Sequence, residues 1–174
     1  MIESSVMERF WNIVHYFAYR AVYKLYLASN KFSLIFYIYK LPFCKKHFIK
    51  KGYDPVEKVN EAFKRPDIGL STIFAGGLMY GLPMIFFFGL HCFYIAFVAK
   101  PKNFESFLII FISYSIISFL FSYILLFHKD KYLKYFREFD KKPRKWKLKW
   151  AWISFGVILL PFVVLASSFA AMTK

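Results

Sequence analysis

Arg9, Tyr16, Tyr19, Arg20, Tyr23 and Lys24 crowd one short stretch of this chain, and Tyr26 continues the series. The tyrosines step by three, four and three residues, which sets them along one side of a helix. Phenol rings stack on bases while guanidinium and ammonium groups hold phosphates. Such a side therefore suits a nucleotide or a single-stranded oligonucleotide. Two other readings fit the same residues. Tyrosines and cations favour the headgroup layer of an anionic membrane, and this spacing is also that of a coiled-coil seam.

Further candidates lie in apolar surroundings. Gly77 and Gly81 form a GxxxG pair and Pro83 follows, a combination that reads either as close helix packing with a fixed kink or as a moving gate. Ser115, Ser118 and Ser122 share one helix side, where hydroxyls join helices or line a narrow pore. His91 is an imidazole within an apolar run, suited to a neutral hydrogen-bonded role or to pH sensing. HExxH, GxSxG and P-loop patterns do not occur, and neither does a CxxC or Cys/His metal pattern. Cys44 and Cys92 are expected as free thiols. Apart from Glu105 at the very edge of the second, the apolar runs carry no carboxylates, which argues against ion-coupled transport. The expectation is a protein that is not an enzyme, without metal or cofactor.

The elements that must position these groups follow from composition. Hydrophobic residues make up 59% of 174, 24 of them phenylalanine, yet the net charge is +15. One soluble core could not enclose that much apolar area, so much of it should face lipid or partner chains. The fold expected is an all-α integral membrane protein. Three transmembrane helices are predicted over about 69–99, 104–127 and 150–172, within a domain 68–174, and Trp146, Trp150 and Trp152 mark the interface. The apolar patch at 25–44 is read outside the membrane, because a fourth span there would bury Lys31 and meet Pro42.

Lysine and arginine set the orientation. Residues 1–67 hold 12 of them and the loop 128–149 holds 10, which predicts both on the cytoplasmic side of a bacterial inner membrane and the C-terminus outside. Glu3 and Glu8 precede the first cation, which argues against a cleavable leader. Residues 8–27 read as an amphipathic helix, with Phe10, Trp11, Val14, Phe17, Ala18 and Leu25 on its apolar face. Glu8, Asn12, His15 and the tyrosines take the polar one. Asp54-Pro55 starts a second helix that Pro66 stops. Tyr132, Tyr135, Phe136 and Phe139 mark the apolar face of a third, up to Asp140, and Pro143 follows.

These observations lead to a homo-oligomeric channel or pore-forming effector. Its basic, tyrosine-rich cytoplasmic face would be governed by an anionic nucleotide or oligonucleotide. Gly77, Gly81 and Pro83 would be its moving part, and Lys45–Lys51 and Lys141–Lys149 would add positive field over anionic lipid. The alternative is a non-catalytic membrane anchor or accessory subunit that recruits a cytoplasmic protein partner.

Overall fold

The computed structural model describes residues 5–30, 37–39, 41–50, 52, 54–98 and 104–173. Within them the order is α1 (Val6–Asn30), α2 (Pro42–Lys50), α3 (Pro55–Lys64), α4 (Leu70–Phe97) and α5 (Phe104–Ser122). A π-helical turn (Tyr123–Phe127) and a 3-10 turn (His128–Asp130) then lead to α6 (Lys131–Asp140) and α7 (Arg144–Met172). The described residues contain no strand. Residues 31–36 and 40 of the 25–44 patch, and the 100–103 link between the first two apolar runs, lie outside them.

Three helices are long and apolar enough to cross a membrane. At 1.5 Å per residue, the 28 residues of α4 and the 29 of α7 reach about 42–44 Å, more than the ~30 Å of a hydrocarbon layer. In α7 the excess is the basic segment 144–149. The sequence predicts a loop there, but Pro143 stands at the N-cap and those residues form the first turns of the long helix. The second apolar run stays α-helical to Ser122, passes through the π turn to Phe127, and kinks where Lys129 (φ 58) and Asp130 (φ 51) adopt left-handed backbone.

The contacts form two compact units, one within residues 1–17 and 77–174, the other within 18–76. Their boundaries fall inside α1 and α4. The core of the first unit joins Trp11 and Val14 of α1, Met79 and Leu82 of α4, and Leu126 of the π turn. Pro83 lacks the N–H that would bond the Met79 carbonyl one turn back. The Ser122 hydroxyl of α5 donates to that carbonyl instead, at 2.7 Å. Helix α7 comes close to α4 at Gly89, where a Cβ would stand 3.0 Å from the Leu165 nitrogen. The predicted GxxxG pair makes no such approach among the described residues: a Cβ at Gly77 or Gly81 meets nothing within 4 Å. The outward surface is apolar, with Ile109, Ile116 and Phe119 of α5 and Phe155 and Val163 of α7 exposed.

In the second unit α3 forms as its sequence predicts. The Asp54 carboxylate accepts from the Val56 and Glu57 amides at 2.8 and 3.4 Å. The Arg65 guanidinium grips Asp67 through two bonds, at 2.7 and 3.2 Å. Gly69 then passes so near the Arg65 carbonyl that no Cβ fits.

Candidate functional site

Helix α1 begins with Ser5, whose hydroxyl accepts from the Glu8 amide at 3.4 Å. From there Glu8, Asn12 and Tyr16 climb one side at steps of four. Each meets a group more than a hundred positions away. The Glu8 carboxylate receives Lys131 Nζ at 2.7 Å and the Tyr135 hydroxyl at 3.0 Å. Asn12 Nδ2 donates to the Leu125 carbonyl of the π turn at 2.9 Å and to the Glu8 carbonyl at 2.8 Å. Tyr16 donates to Asp140 at 2.6 Å, and Arg9 pairs with Glu138 at 2.6 Å.

Between these bonds the packing is aromatic. His15 is fully enclosed by the rings of Phe127, Tyr132 and Phe136, with centroids 5.1–5.6 Å away. Tyr132, Tyr135, Phe136 and Phe139 are all buried, as the one-face pattern of α6 predicts. Trp146 of α7 stacks obliquely on Phe139 at 5.4 Å and reaches Trp150 at 6.0 Å, and Trp150 meets Phe10. The first three turns of α1, all of α6 and the start of α7 thus make one platform, bonded to the ends of two apolar helices.

The platform sorts its charges. Glu8, Glu138 and Asp140 are consumed in its own bonds, Asp140 also through its carbonyl, which takes Lys147 Nζ at 2.7 Å. Lys134, Arg137 and Lys141 lie at i, i+3 and i+7 on the exposed side of α6, followed by Arg144, Lys145 and Lys149. Among the described residues no ion pair engages these six. The first three line an open groove of about 540 Å³ that also carries Asp130 and Glu138. This surface can hold an anion, with several cations along one line. Among the described residues no three His, Cys, Asp or Glu side chains gather to bind a metal. Cys44 and Cys92 are unbridged.

The stripe Arg9, Tyr16, Tyr19, Arg20, Tyr23 and Lys24 is divided by this fold. Arg9 and Tyr16 belong to the platform, and Tyr16 is buried. The other four lie in the second unit, where Tyr19 donates to the Lys64 carbonyl at 2.5 Å and Tyr26 lies flat on Phe63 at 3.6 Å while bonding Asn60. Tyr23 stacks beside Tyr26 at 6.5 Å, Arg20 is half-buried, and Lys24 is exposed. The expected polar outer face of α1 is therefore corrected. Asn12, His15 and Tyr16 are enclosed and Leu25 is exposed, because residues distant in sequence cover the side that periodicity alone reads as wet.

The remaining predicted positions are scattered along the long helices. Ser122 serves the Met79 carbonyl. Ser115 donates to the Phe111 carbonyl at 2.8 Å and approaches Met84 Sδ at 3.5 Å. The Ser118 hydroxyl is buried without a partner. His91 is half-buried between Tyr94 and Tyr114, and Pro83 is buried. Sequence reading does not single out Glu8, Asn12, His15 or Asp140 as platform members. The available signal was complementarity, since the polar side of α1 and the acids and aromatics of α6 each leave bonds unmet alone. Outside the platform, the Arg65 hydrogen bond holds the Asp67 carboxyl down to about 2, and the same contact raises Arg65. No protein-family model, curated protein or solved structure matches this chain, so a functional reading rests on the platform and the helices it joins.

Proposed function

We propose that this chain is a non-catalytic integral membrane protein whose platform captures an anionic ligand, a nucleotide or oligonucleotide, at the membrane surface. The observation that carries this reading is the sorting of charge: Glu8, Glu138 and Asp140 are bonded to groups within the platform, whereas Lys134, Arg137, Lys141, Arg144, Lys145 and Lys149 are exposed and no ion pair among the described residues engages them. Their field draws in polyanions and steers their approach. The exposed apolar sides of α4, α5 and α7 fit lipid. The lysine and arginine distribution favours the cytoplasmic side of a bacterial inner membrane for the platform and the outside for the C-terminus. In this role the protein serves as an anchor or accessory subunit and delivers its ligand to a cytoplasmic partner.

A second reading adds conduction in a homo-oligomer, and a specific observation favours it. Gly77 and Gly81 present a small-residue surface with no close neighbour among the described residues, open to a second copy. Helix α7 also runs unbroken from Arg144 to Met172, so a force on its basic end reaches the apolar end.

The test is fluorescence anisotropy of a labelled single-stranded oligonucleotide with protein in nanodiscs. Binding should weaken steeply with salt. The triple variant Lys134→Ala/Arg137→Ala/Lys141→Ala should lower the logarithmic salt slope by about 2, at ~0.7 per lost phosphate contact. An unchanged slope removes the platform as the binding surface. Ionic currents in planar bilayers, in a preparation of verified oligomeric mass, separate the second reading from the first.

A further inference from the structure

The second unit carries a segment that the ligand platform does not use. Between Tyr37 and Gly52 the chain holds five lysines and no acid. Helix α2 lies in this stretch. Its exposed residues Phe43, Lys46, His47 and Lys50 fall at i, i+3, i+4 and i+7, so one face begins with a phenyl ring and continues in cations. Phe43 is 85% exposed, and Ile38 and Leu41 before it are exposed as well. Another side of α2 is engaged within the unit, where Phe48 meets Tyr39 edge-on at 5.7 Å.

Such a face makes two demands of whatever covers it. Its apolar tip gains by leaving water, and its lysines attract anions. Nucleic acid supplies phosphates but no hydrocarbon. An anionic bilayer leaflet supplies both, in order of depth: phosphates at the surface and acyl chains beneath. The same unit also holds the first two turns of α4, where Ile73 and Phe74 are exposed. The Thr72 hydroxyl donates to the Pro66 carbonyl at 3.0 Å and so ties the end of α3 to that start. Because α4 is long and apolar enough to cross a membrane, the unit that holds its first turns belongs at the leaflet the helix enters.

We infer that α2 is a surface anchor for an anionic leaflet: Leu41 and Phe43 enter the acyl region while Lys46 and Lys50 hold lipid phosphates. The inference rests on the membrane-spanning reading proposed above, and it makes attachment of this unit depend on leaflet charge. Full-length protein carrying Cys44→Ser and Cys92→Ala, with a nitroxide attached at Leu41→Cys, tests it by electron paramagnetic resonance. The vesicles are phosphatidylcholine alone or with about one third phosphatidylglycerol. In the anionic vesicles the label should be open to oxygen and closed to a water-soluble nickel chelate; in the neutral ones the chelate should reach it. Lys46→Gln/Lys50→Gln should move the lipid-to-water equilibrium about thirtyfold toward water, the usual worth of two lysines beside a charged leaflet. Phe43→Ser should move it about tenfold or more the same way. These residues are exposed, so the substitutions leave the packed interior intact. A label equally open to the chelate in both vesicles overturns the inference, as does insertion that ignores the lysine changes. A label closed to both probes does so too, since it marks a protein partner instead. A nitroxide at Val163→Cys in α7 separates the two failures: if the chelate reaches that site, the spanning reading itself falls.

Discussion

Removing the Glu8 carboxylate should cost far more than removing the Arg9 charge one residue later, although both form ion pairs with α6. The two differ in water access. The Arg9–Glu138 pair is 45% and 40% exposed, and Glu138 retains Lys142 at 3.5 Å, so Arg9→Met should cost less than about 1 kcal/mol. Glu8 is only 16% exposed and answers two donors, Lys131 Nζ and the hydroxyl of buried Tyr135. Glu8→Ala takes away the charged acceptor that Tyr135 uses, at about 1–3 kcal/mol, and the carboxylate that faces the half-buried Lys131 ammonium. Discounting the ion pair for its partial exposure to about 1 kcal/mol gives a total of roughly 2–3 kcal/mol. Glu8→Gln keeps an acceptor for Tyr135 and loses only the charge, so it should fall near 1 kcal/mol. Equilibrium unfolding in mixed micelles, followed by fluorescence of Trp146 and Trp150 within the platform, measures all three. If Arg9→Met costs as much as Glu8→Ala, or Glu8→Gln as much as Glu8→Ala, burial is not what ranks these bonds.

Other outcomes follow from the helix contacts and caps. Gly89→Leu should destabilise by about 1–3 kcal/mol in the same unfolding assay, because its side chain meets the α7 backbone at once, whereas Gly77→Leu should leave single-chain stability within about 0.5 kcal/mol. If copies pack through that open surface, mass photometry of Gly77→Leu/Gly81→Leu in nanodiscs should show a smaller assembly than wild type. Asp54→Ala should weaken the first turn of α3 by about 1 kcal/mol, read as faster hydrogen exchange at the Val56 and Glu57 amides. The Arg65–Asp67 bond lowers the folded carboxyl's pKa, so its contribution is complete above the ordinary carboxylate range and is lost as pH falls from about 4 to about 2. Carbon-13 titration of Asp67 should show the midpoint near 2, and Arg65→Ala should return it toward the model-compound value of 3.8.

Local rules account for the parts of this protein whose partners lie nearby in the chain. Long apolar runs without charge can meet their solvent demands only in lipid or inside other protein, so the three long helices are legible from residue type alone. Asp54 caps α3 because its own next residues supply the donors. The aromatic face of α6 is legible because 3.6 residues per turn aligns Tyr132, Tyr135, Phe136 and Phe139 on any helix.

The same periodicity could say that Glu8, Asn12, His15 and Tyr16 share a side of α1, but not that the side is enclosed. That depends on Leu125, Lys131, Tyr135 and Asp140, and folding brings these across more than a hundred residues of chain. Which glycine permits close approach was likewise undecidable from spacing, since GxxxG marks where a neighbour is able to come and not where one does. Gly89 has the neighbour and Gly77 does not. The role of Ser122 needed the tertiary structure too: a serine reads as an adhesive for any helix, until Pro83 on another helix leaves the Met79 carbonyl without a donor. The sequence thus determined the helices and their polarity, which short-range geometry and solvent fix. Only the fold decided which polar groups are satisfied from within, and therefore which charges remain facing outward.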